Sequence, residues 1–121
     1  WLIFFRLIGK FKKRKGEIMK GNLENLNDVV CGSIVENCDG DIGVVRFFMD
    51  GPTTLAETDD VCGGRICITY QKHESYLHYR IDGVSSYSDG DDIKAVLLIG
   101  NGNEVKTHSD GIKILKEFMN S

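Results

Sequence analysis

Four cysteines and three histidines are the side chains of this 121-residue chain best suited to metal or nucleophilic chemistry. Structural zinc sites take their thiolates in pairs spaced about two to four residues apart. Cys62 and Cys67 fit that spacing loosely, and Cys31 and Cys38 do not. Cys31 and Cys67 fall in strand-like stretches, where a reduced Cys is a common small core residue. Buried, reduced thiols are the expectation, with no metal; paired disulfides would need an oxidising compartment. Cys67, His78 and His108 are what a scattered enzyme site would use, a thiol served by an imidazole. No Gly-x-Ser-x-Gly elbow and no cysteine signature surrounds them, so His73, His78 and His108 read as exposed strand or turn residues. Cys62-Gly63-Gly64 and Gly100–Asn103 make neither a Walker loop nor a dinucleotide fingerprint. Asp39–Val44 fails as a calcium loop because its sixth position is Val44 where such a loop needs Gly.

Carboxylates carry the remaining signal. Glu57, Asp59 and Asp60 lie in one loop-like stretch, Asp89, Asp91 and Asp92 in a second, and Asp39 and Asp41 in a third. The formal charge of −3 hides an asymmetry: residues 1–20 hold seven basic residues against Glu17, a net +6, which leaves −9 on residues 21–121. Acidic runs are commonly just solvated loop tips. A surplus of carboxylates also repels nucleic acid and steers a basic protein towards itself. Tyr76, Tyr79 and Tyr87 lie close to the acids in sequence and could add aromatic contacts. The expected partner-binding set is Glu57, Asp59, Asp60, Tyr87, Asp89, Asp91 and Asp92, with no catalytic residue and no cofactor.

The elements that must position these residues are mostly strands. Val29–Glu36 and Ile42–Met49 are rich in β-branched and aromatic residues, and Asp39-Gly40 between them supplies a tight turn. Residues 53–60 read as a loop with a short helical turn. Arg65–Gln71 and Tyr76–Asp82 alternate, with Ile66, Ile68 and Tyr70 on one face and Leu77, Tyr79 and Ile81 inward, which predicts a second hairpin. Ile93–Ile99 is an apolar run suited to a strand buried on both faces, and Glu104–Thr107 a short further strand. The end is helical by spacing, with Ser109 as N-cap and Ile112, Leu115, Phe118 and Met119 along one stripe. The sum is a single α+β domain: a mostly antiparallel sheet of five or six strands with a C-terminal helix on one face.

Composition agrees, with 41% hydrophobic and 27% charged residues and one Pro excluding collagen-like and disordered classes. About two thirds of the unfolded surface can be buried at this length, so no disulfide or metal is required. Residues 1–18 stand apart from the acidic domain of residues 19–121. Trp1–Ile8 is apolar apart from Arg6 and is far short of the about 20 residues that span a bilayer, so no membrane span is expected. The charges follow the apolar run, the reverse of a secretory signal; the expected compartment is the cytoplasm. An interfacial anchor would also suit apolar and basic residues together. Lys15-Gly16-Glu17 back-translates to a purine-rich stretch just before Met19. That resembles a bacterial ribosome-binding site read through as protein, which would make residues 1–18 non-native.

A small acidic α+β domain without a catalytic signature resembles the immunity and antitoxin proteins that bacteria pair with secreted toxins. The likeness covers size, charge and the missing motif, and implies an inhibitor that masks a basic partner such as a nuclease. The alternatives are the scattered Cys/His enzyme and a self-assembling module built on the apolar strands. A chain starting at Met19 is expected to melt at the temperature of the full chain in a thermal scan; a large drop refutes the reading of residues 1–18.

Overall fold

The computed structural model describes residues 26, 29–49, 51–58 and 64–121. The expectations placed on residues 1–18, Asp59, Asp60 and Cys62 lie outside the described residues. Among the described residues five strands are seen: β1 (Ile34–Asn37), β2 (Ile42–Phe48), β3 (Gly64–Tyr70), β4 (Glu74–Tyr79) and β5 (Ile93–Leu98). One α-helix, α1 (His108–Met119), follows them, and short 3-10 turns occur at Leu55–Glu57 and Asp89–Asp91. The sheet order is β4-β3-β2-β1-β5, antiparallel throughout. This is the expected α+β architecture.

The first turn forms for a local reason. Gly40 takes φ of 89°, a conformation that only Gly adopts cheaply. The buried Asn37 side chain caps the turn, its Oδ1 accepting from Asp39 N at 3.0 Å and Asp41 N at 2.9 Å.

Both sheet faces are covered. One carries Val35, Val45, Ile66, Ile68, Tyr70, Tyr79 and Val96, sealed by Leu26, Val29 and Leu55 from the connecting loops. The other carries Ile34, Val44, Ala95 and Leu97 and packs against Val105 and Leu115, with Ile114 and Phe118 at the margin. Alternation along β1 and β2 sends Ile34 and Val44 to the helix side and Val35 and Val45 to the other. Leu115 is the fully buried side chain of α1, whereas Met119, expected on the same stripe, is 46% exposed.

Three expectations need correction. β1 begins at Ile34 instead of Val29, because Cys31-Gly32 turns with Gly32 at φ 88° and Ser33 N bonds back to Val30 O. Residues 104–107 form no strand; the carbonyls of Val105 and Lys106 are taken by a side chain from β2. The helix cap is Thr107, whose hydroxyl accepts from Asp110 N at 3.0 Å, and Ser109 already lies inside the helix. β5 lies at the sheet edge yet is buried on both faces as expected, with Val96 on one side and Ala95 and Leu97 on the other; only Lys94 and the end of the run, Leu98 at 50% and Ile99 at 44%, are exposed. Two register slips against β1 leave Lys94 and Leu97 as bulged residues. Bulges and a charged residue on an edge discourage pairing with a further strand. No helix among the described residues is long and apolar enough to cross a membrane.

Gly111 explains how closely α1 sits on β3. It is buried, and a Cβ there would meet Thr69 at 2.9–3.0 Å. Read from sequence, this Gly merely weakens the first turn of the helix. In the fold, it lets the helix backbone approach the sheet. Gly111→Ala should therefore destabilise the protein by about 1 kcal/mol in urea unfolding, since overpacking outweighs the gain in helix propensity. A stabilised variant would refute the close contact.

Candidate functional site

Two acidic loops far apart in sequence meet at one end of the sheet. Cys38 N donates to Asp92 O at 2.9 Å, and Asp39 N donates to Gly90 O at 3.1 Å. The Asp39 carboxylate lies so close over Gly90 that a Cβ there would fall 2.5 Å from Oδ2. Asp92 Oδ1 accepts from Ser85 N at 2.7 Å, and Asp91 Oδ2 accepts from the Ser88 hydroxyl at 2.8 Å. Below them the buried Tyr79 hydroxyl donates to Asp91 O at 3.2 Å, and burial pushes that phenol up to about 12. Tyr87 stands out from the same loop at 79% exposure.

The fold thus brings Asp39, Asp89, Asp91, Asp92 and Tyr87 together. Asp39 belongs beside the expected set of residues, although it comes from a different hairpin. Glu57 does not join them: it bonds Thr53 N at 2.9 Å and closes its own turn. Among the described residues, no hydrogen bond or ion pair links it to the other acids. Cys38 sits exposed within the acidic group; its thiol is pushed up by partial burial and then by Asp92, with Asp39 and Asp89 adding to the effect and Lys94 opposing it.

A second polar cluster lies on the helix side. Arg46, in the middle of β2, is 5% exposed. Its Nε donates to Val105 O at 3.0 Å, one terminal nitrogen to Lys106 O at 2.6 Å, and the other to Glu74 Oε2 at 2.6 Å. The Tyr76 hydroxyl donates to Glu74 Oε1 at 2.9 Å, which holds that phenol up at about 12. His108 Nδ1, at the first turn of α1, lies 3.1 Å from the Thr69 hydroxyl and 3.5 Å from Glu74 Oε2. Cys67 Sγ is 3.5 Å from Arg46.

Cys67 and His108, two of the residues considered for an enzyme, therefore border one network. Cys67 has no exposed surface, and burial pushes its thiol up, away from the thiolate a nucleophile needs. His78 lies apart and exposed, its backbone facing Ser86. Cys31, Cys38 and Cys67 are free thiols. Among the described residues, no group of three or more His, Cys, Asp or Glu is placed to hold a metal ion.

Reasoning on motifs missed Arg46 and Glu74. Their signal was there: a lone cation within Ile-Gly-Val-Val-Arg-Phe-Phe must find a partner once the strand is buried. No family model matches this chain, and neither a curated protein nor a solved structure shows a significant match.

Arg46→Met should cost about 2–3 kcal/mol in urea unfolding, because two carbonyls and a half-buried carboxylate lose their donor. Glu74→Gln should cost less, about 1 kcal/mol, because the amide oxygen can still accept. Equal losses for the two variants would contradict this division.

Proposed function

We propose that this chain is a non-enzymatic binding protein whose acidic loop end covers a basic protein, in the manner of the immunity and antitoxin proteins of bacteria, acting in the cytoplasm. One observation carries the reading. The backbone bonds from Cys38 to Asp92 and from Asp39 to Gly90 hold two acidic loops side by side. Asp39, Asp89, Asp91 and Asp92 then form one anionic surface with the exposed Tyr87 beside it. Fixed carboxylates of one sign raise the encounter rate with a cationic surface, and an adjacent aromatic side chain adds short-range contact.

The main competing reading, an enzyme built on Cys67 and His108, has less support, because Cys67 is sealed. The two bulges of the β5 edge disfavour self-assembly through that edge.

The test is stopped-flow association of an octalysine peptide with the full chain at low salt. Reversal of Asp89, Asp91 and Asp92 to Lys together should slow association by about tenfold and flatten its dependence on ionic strength. An unchanged rate would remove these residues from the binding surface.

A further inference from the structure

Beside the acidic loops, a groove of about 280 Å³ opens between the two hairpin turns and the end of α1. Its walls hold groups that suit one kind of occupant. The exposed His73 ring stacks on the buried Tyr70 ring at 5.2 Å between ring centres, 28° from parallel, which leaves His73 as the aromatic wall. Asp41 supplies a carboxylate from the first hairpin turn, and Ile42 and Met119 supply apolar surface. The rim is tied across by Gln71 Nε2, 3.4 Å from Met119 Sδ. Met119 is also the last residue of α1, so the groove lies at the negative end of the helix dipole.

We infer that this groove receives an arginine side chain of the basic partner. The inference rests on the functional reading above and gives it a specific contact. A guanidinium is planar and stacks on an aromatic wall as an ammonium cannot, and it pairs with a carboxylate through two parallel bonds. Its methylene stem matches the Ile42 and Met119 surface. The helix end and Asp41 both favour a cation. Lys72, also on the lining, is the like charge that works against one. Asp41 belongs to the same turn as Asp39, so the groove adjoins the acidic loops.

The experiment titrates the full chain, labelled for NMR, with tetra-arginine and tetra-lysine peptides of equal charge at pH 7.5. The acidic surface alone predicts equal binding of the two. The groove predicts that tetra-arginine binds about threefold to tenfold more tightly. It also predicts that tetra-arginine alone shifts the His73 ring and Met119 methyl signals. Asp41→Asn should abolish the preference, weakening tetra-arginine binding more than tetra-lysine binding. Lys72→Gln should enlarge the preference. Equal affinities, with shifts confined to residues 38–39 and 85–92, would overturn the arginine groove and leave the acidic surface standing. Failure of both peptides to bind would overturn both readings.

Discussion

The buried guanidinium of Arg46 is the constraint around which the helix side of this protein is arranged. An unpaired charge at that depth would cost more than the whole fold can spare. Its partners come from separate places: Glu74 on β4 and the carbonyls of Val105 and Lys106 just before α1. Satisfying the cation therefore fixes where the last loop crosses the sheet, and with it where α1 begins. His108 and Thr69 meet only because that start point is set. Gly111 then allows the helix to settle on Thr69 at close range. The same bonds explain why residues 104–107 form no strand despite their β-like composition: the side chain of Arg46 takes the two central carbonyls.

The opposite end of the sheet is organised by backbone and short side chains. Asn37 closes the first hairpin turn, and Gly90 leaves room for the Asp39 carboxylate. Neither residue carries charge, yet together they determine which carboxylates become neighbours. Long-range electrostatics here depend on short-range sterics, because the field of an acidic surface is set by how rigidly its charges are held.

Much of the fold was legible because its signals are local. Alternation in β3 and β4, the Asp39-Gly40 turn and the apolar spacing of the last helix each depend on residues within a few positions of one another. What was not legible depends on distant partners. The slips that bulge β5 at Lys94 and Leu97 are set by its pairing with β1, some sixty residues earlier in the chain. That pairing also places β5 at the sheet edge, which its apolar run could not reveal. Asp39 could be grouped with Asp89 only once the β1–β5 ladder laid their loops together. Glu57 matched the other acids in type alone, and its carboxylate serves Thr53. The acidic cluster was thus readable in kind, a set of loop carboxylates, but not in which of them meet.

The strand order has a consequence for synthesis on the ribosome. β1 is flanked by β2 and β5, so the meander of the first four strands can assemble while one side of β1 is still open. Ile34 and Val35 then form a bare, unbulged margin until Ile93–Leu98 has been made. The nascent chain is most vulnerable to pairing with a neighbour during that interval. Arrival of the last strand covers the border of β1 with an irregular one bearing Lys94, so vulnerability falls late.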